Sequence, residues 1–181
     1  SACYASFIFP LGVAAPREAM PRAKEAAMRA LAIDNALGEA HASLAFATFY
    51  YDWDWPAAEQ EFKRAIELDP NNAEAHHWYS HYLMAQGRIE ESLAQSKRAL
   101  ELSPLDILLN VHLGWHYLYA RQYDQALDQM EKTVEMDKNF AQTYPWLGLI
   151  LEQTRDGPEE RRLARAVRAQ HGEDLPFLDR E

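Results

Sequence analysis

The amino-acid sequence predicts an all-α protein, a solenoid of about five antiparallel helix pairs. Two observations point to helix: only 7 glycines and 9 prolines interrupt the 181 residues, and the stretches between them are rich in the strong helix formers Ala, Leu, Glu and Arg. A third points to stacking, because the sequence returns on itself with a period of 34 residues. At 48% hydrophobic and 25% charged, the chain has the apolar content to bury a core.

Three landmarks share that period. The stretch Ala65-Ile66-Glu67-Leu68-Asp69-Pro70 recurs as Ala99-Leu100-Glu101-Leu102-Ser103-Pro104 and again as Thr133-Val134-Glu135-Met136-Asp137-Lys138, with a looser copy at Ala30 to Asn35. A large residue followed by a small one recurs at Leu44-Ala45, Tyr79-Ser80, Leu113-Gly114 and Leu147-Gly148, spaced 35, 34 and 34. Proline stands at Pro21, Pro56 and Pro158, with Glu90 and Asp124 at the intervening equivalents, and both residue types suit the first turn of a helix. Independent amphipathic helices in a bundle would not need three landmarks in one register.

In chain order, the pattern predicts helices over 2–10 and 18–33, 39–51 and 56–68, 73–86 and 89–102, 107–120 and 123–136, then 141–154 and 158–170. Asp54 reads as an N-cap ahead of Trp55-Pro56. Asp69 and Ser103 each precede a proline, which disfavours the α region and ends the helix before them. Small residues at Gly114 and Ala126 predict close approach of the two helices of a pair, with Leu113, Tyr117 and Met130 filling the space beside them. One residue more than the period lies near Tyr51 to Trp55. The last helix, rich in Arg and Glu, reads as a terminal cap, and residues 172–181 as a tail.

These residues resemble the tetratricopeptide repeat family, whose motif places a large residue, a small one and an aromatic in the first helix, then Ala, a bulky residue, Ala and Pro in the second. Leu113, Gly114, Tyr117, Ala126, Met130 and Thr133 carry it most fully, with Lys138 in place of proline. Tyr79, Ser80, Leu83, Ser92, Ser96, Ala99 and Pro104 carry a second copy, and Leu44, Ala45, Ala58, Phe62, Ala65 and Pro70 a third. The resemblance implies one repeat domain over 1–171, with a degenerate repeat at 1–37, good repeats at 38–71, 72–105 and 106–139, and a degenerate, capping repeat at 140–171. It implies a right-handed superhelix whose first helices line a concave, ligand-binding surface. Carried over by position, that surface holds Phe46, Phe49 and Tyr50, then His77, His81 and Met84, then Val111, Trp115, Leu118 and Tyr119, and finally Leu149. The stretches DWDWPAAEQEFKRAIELDP and HHWYSHYL are similar to repeat segments of multidomain bacterial signalling and regulatory proteins.

The expected function is therefore a protein-interaction scaffold. Family members that grip a carboxylate use Lys, Arg and Asn on the inner face, and none of the positions above holds one; the expected ligand is an apolar or amphipathic peptide or helix. Self-association as an assembly module is the alternative, and packing of these aromatics on the chain's own helices is the plain structural reading. The formal charge of −10, from 28 acids against 18 bases, repels phosphate backbones, so no nucleic-acid partner is expected. The apolar run at Phe7, Ile8, Phe9, Leu11 and Val13 is broken by Pro10 and Pro16, so no membrane insertion is expected either. A lone Cys3 forms no internal disulfide, which fits a cytoplasmic setting. A first residue other than Met and a start in mid-pattern predict a piece of a longer, multidomain chain.

No enzyme and no cofactor are expected. The seven glycines are dispersed, so no phosphate loop is present, and no Gly-x-Ser-x-Gly elbow occurs. His77 and His81 lie four apart on one helical face, with Glu74 three before, and His112 and His116 repeat the spacing. Trp78 stands where a zinc-protease helix needs Glu, so no metal is assigned and a His-based metal-binding protein is only the remote alternative. Glu59 and Lys63 read as an ordinary surface pair.

Overall fold

The computed structural model describes residues 16–154. Among them the chain forms eight α-helices and one π turn: α1 (Pro16–Ile33), α2 (Gly38–Ala47) continued by the π turn Thr48–Asp52, α3 (Trp55–Leu68), α4 (Ala73–Ala85), α5 (Ile89–Leu102), α6 (Ile107–Tyr119), α7 (Tyr123–Met136) and α8 (Thr143–Thr154). The expected helices over 2–10 and 158–170, the Pro158 landmark and the tail lie outside the described residues. The all-α helical-repeat class is as the periodicity predicts. The chain divides into two compact units, Ser1–Leu102 and Ser103–Glu181.

Local chemistry sets the helix starts. Asp54 accepts a hydrogen bond from the Ala57 amide at 3.2 Å, and Pro56 occupies the first turn of α3. Asn72 caps α4 through the Ala75 amide at 2.9 Å, and Asp106 caps α6 through the Leu108 and Leu109 amides. The helix expected over 18–33 starts two residues earlier, at Pro16, and encloses Pro21 as expected. Pro21 removes one backbone donor there, and the apolar contact of Ala19 and Met20 with Phe46 holds the segment in place.

The turn from first to second helix needs one left-handed residue, at Trp53 (φ 59°), Gly87 (φ 72°) and Arg121 (φ 58°). These positions are 34 apart. At Gly87 and Arg121 the same pair of bonds closes the helix: the Gly87 and Arg88 amides reach the Met84 and Leu83 carbonyls, and the Arg121 and Gln122 amides reach those of Leu118 and Tyr117, all at 2.9 Å. At Trp53 the π turn Thr48–Asp52 precedes the left-handed residue and absorbs the one residue by which that repeat exceeds the period. Trp53 is 70% exposed and stacks on Trp55.

Small residues set the distance within each pair. In the first unit Ala45, Ala58, Ser80 and Ser92 are fully buried, and the Ser92 hydroxyl donates to the Ser80 carbonyl at 2.7 Å. In the second, a Cβ on Gly114 would lie 2.8 Å from Met130 Cε and 3.2 Å from its Cγ and Sδ. Phe49, Phe62 and Leu83 fill the first unit's core; Val111, Met130 and Ile150 fill the second's.

A polar clasp accompanies each pair, and the landmarks above do not include it. The carbonyl that opens each connecting turn accepts from a side chain six residues on: Asn35 faces His41 Nε2 at 3.1 Å, Pro70 faces His76 Nε2 at 3.0 Å, Pro104 accepts from Asn110 Nδ2 at 3.1 Å and Lys138 from the Tyr144 hydroxyl at 2.5 Å. In three repeats the same side chain also reaches the second helix, His41 to Glu61 and His76 to Gln95 at 2.5 Å, and Gln129 Nε2 to Asn110 Oδ1 at 2.8 Å.

The left-handed positions yield a direct test. A Cβ on Gly87 would meet nothing within 4 Å, so Gly87→Ala isolates the backbone cost and is expected to destabilise by about 1 kcal/mol. Arg121→Gly is expected to stabilise by about the same amount. Urea unfolding of both variants measures it.

Candidate protein-binding face

The side chains expected to line a binding surface divide into two groups by burial. Phe46, Phe49, His77 and Met84 of the first unit are buried, as are Val111, Leu118 and Leu149 of the second. Phe49, Val111, Leu118 and Leu149 belong to the hydrophobic cores, and Phe46 packs with Ala19 and Met20. The first helices are apolar nearly all round, so positions assigned by repeat register fall on interior as well as outer faces. Tyr50, His81 and Trp115 are half-buried, and Tyr119 is 41% exposed.

In the first unit the half-buried rings rest on the buried ones. Phe46 lies 4.7 Å from Tyr50 and, edge-on, 4.5 Å from Trp78; Phe49 lies 4.5 Å from Tyr50. Trp78 packs on His77 at 4.4 Å and on His81 at 5.3 Å, and its indole N–H donates to Glu74 at 3.3 Å. The Tyr50 hydroxyl meets His81 Nδ1 at 3.3 Å. Burial raises the pKa of both Tyr50 and Glu74, because a low-dielectric surrounding disfavours the charged form of each.

In the second unit Trp115 sits edge-on to Tyr119 at 4.8 Å and to Trp146 at 6.0 Å. The result is an aromatic surface whose rings are fixed by one another, suited to packing against an apolar side chain at low entropic cost. Trp78 in the first unit and Trp146 in the second belong to these ring clusters although the motif does not mark them; they are equivalents, 68 residues apart, and that spacing is the signal that finds them.

His76, next to His77 in the sequence, is committed to the clasp. Glu59 does more than pair with Lys63 at 2.9 Å: it also takes Arg88 at 2.5 Å and the Tyr79 hydroxyl at 3.2 Å. Arg88 and Lys63 lower its carboxyl to about 2, so whatever the partly exposed cluster contributes is present above the ordinary carboxylate range and fades as pH falls toward 2.

A stacked array of helix pairs with an aromatic outer surface defines a helical-repeat scaffold. The chain belongs to the tetratricopeptide repeat family: family models described as tetratricopeptide repeat match residues 61–94 and 112–174, together just over half of it. The type IV pilus assembly protein PilF of Pseudomonas aeruginosa is 29% identical over 120 residues, covering 65% of this chain and 47% of that protein. This chain thus spans about half the length of that relative. The solved PilF structure superposes with a TM-score of 0.74 at 24% identity, covering 96% of this chain and 77% of that one. MamA from Desulfovibrio magneticus gives 0.67 at 18% identity over 94% and 92% of the chains. YrrB, described as a TPR protein with an unusual peptide-binding site, gives 0.65 at 19% over 93% and 86%. Repeats of this family serve as protein-interaction scaffolds. No described helix is long and apolar enough to cross a membrane.

Two histidines of α6 make the second unit acid-sensitive. Burial lowers His112 to about 4, and burial, with His112 nearby, lowers His116 to about 3. Because the unfolded chain takes up these protons first, near pH 6.5, their neutral, folded form is fully favourable above that pH and loses stability as pH falls toward 4. The melting temperature is expected to drop between pH 6.5 and 4, and His116→Gln to flatten that slope.

Proposed function

We propose that the chain is a non-catalytic scaffold that captures an apolar or amphipathic peptide segment on the aromatic side chains of its first helices, Trp115 and Tyr119 in the second unit foremost, with Tyr50, Trp78 and His81 forming an aromatic surface of the first unit. The single observation that carries this reading is the set of half-exposed aromatic rings held against buried ones, at positions that hold no Lys, Arg or Asn. The peptide-binding site named for YrrB and the assembly role named for PilF support it by likeness. Under this reading the repeats at 38–71, 72–105 and 106–139 are the functional subdivisions of one repeat domain over 1–171, and the partner is a component of a bacterial protein assembly. Buried ring anchors each contribute about 1.5–3 kcal/mol, so two or three give a transient affinity after ordering costs.

Selection of a random peptide library on the purified chain tests this. Enriched peptides are expected to carry apolar residues at i, i+3, i+4 spacing, and Trp115→Ala with Tyr119→Ala is expected to weaken binding roughly tenfold or more. Enrichment of acidic C-termini, or undiminished binding by the double variant, contradicts the reading. Sedimentation at varied concentration identifies self-association if the captured segment belongs to a second copy.

A further inference from the structure

The repeat register singles out two histidines. Position 77 is matched by Ala42, Val111 and Pro145, and position 81 by Phe46, Trp115 and Leu149. Ala42, Phe46, Val111, Pro145 and Leu149 are all buried, so the repeat uses both positions mainly for apolar packing. Only the 72–105 repeat puts imidazoles there, and it puts one at each. Replacing packing residues by two adjacent polar rings breaks the local rule at a desolvation cost, which marks a functional position more often than a structural one.

We propose that His77 and His81 form a two-imidazole site for a borderline divalent ion, Zn²⁺, Ni²⁺ or Cu²⁺, with water completing the coordination. The i, i+4 spacing sets both rings on one face of α4, their centroids 4.9 Å apart, and a ligand nitrogen of each lies within 4.8 Å of the other. Metal–nitrogen bonds of about 2.0–2.1 Å need the two nitrogens closer, about 3 Å apart, so binding turns the rings toward one another. Imidazole pairs suit these ions rather than Mg²⁺ or Ca²⁺. Tyr50 supplies an outer partner: its hydroxyl faces His81 Nδ1 at 3.3 Å, which orients the ring and presents Nε2 as the ligand atom. The site does not depend on peptide capture.

Isothermal titration of the tag-free chain with ZnCl₂ and NiCl₂ at pH 7.5 tests the proposal, with thermal melting alongside. One equivalent is expected to bind and raise the melting temperature, with binding lost toward pH 5 as imidazole protonates. His77→Gln and His81→Gln are expected to abolish it, Tyr50→Phe to weaken it about tenfold, and Cys3→Ser and His116→Gln to leave it intact. His81→Phe restores the residue of the preceding repeat at Phe46, so it provides a folded, metal-blind control. No uptake by the wild type, stoichiometric uptake by His81→Phe, or loss in Cys3→Ser or His116→Gln overturns the proposal.

Discussion

The carbonyl that opens each inter-repeat turn is tied to a side chain six residues along, and the arrangement of each helix pair depends on that tie. A hydrogen bond from a side chain to a turn carbonyl contributes about 0.5–1.5 kcal/mol net. His41, His76, Asn110 and Tyr144 each satisfy one. In three of the four repeats the same side chain reaches across to Glu61, Gln95 or Gln129 on the second helix. One group thus fixes the entry of the first helix and the register of the second, and Ala45, Ser80 or Gly114 lets the two backbones approach. With the register set, burial of Phe62, Leu83 or Met130 follows from position.

That constraint was only half legible in the sequence. Large–small pairs such as Leu113-Gly114 repeat in identity, so the pairing of helices and most of their ends can be read directly. The clasp repeats in function while its residue changes, from His to Asn to Tyr, and identity-based comparison passes over it. The left-handed positions hide for the same reason: Gly87 is the usual choice, but Trp53 and Arg121 occupy a conformation that costs a side chain energy. The extra residue before Trp55 was visible as a break in spacing; that it becomes a π turn depends on backbone hydrogen bonds that spacing does not encode.

The proposed binding surface was legible as a composition and blurred as a map. Register places Phe46, Phe49, Val111 and Leu149 on the first helices, yet these helices bury more than one face, so the same spacing delivers core residues beside Tyr50 and Trp115. Separating them requires knowing which neighbour covers each ring. The structure also ties the two roles together, since the buried rings hold the exposed ones. A truncation at Phe46 would therefore loosen Tyr50 and Trp78 without touching a ligand. In the same way, His77 and His81 stand out only against their equivalents in the other repeats, a comparison of environment as well as sequence.

The central claim is that a side-chain clasp couples the two helices of a repeat, and a double-mutant cycle on Asn110 and Gln129 tests it most directly. Urea unfolding of Asn110→Ala, Gln129→Ala and the double variant gives the coupling energy. A working clasp gives about 1 kcal/mol of coupling, within the range of about 0.5–3 kcal/mol found for residues sharing a hydrogen-bond network. Additivity to within about 0.3 kcal/mol would contradict it and leave apolar packing alone to set the register.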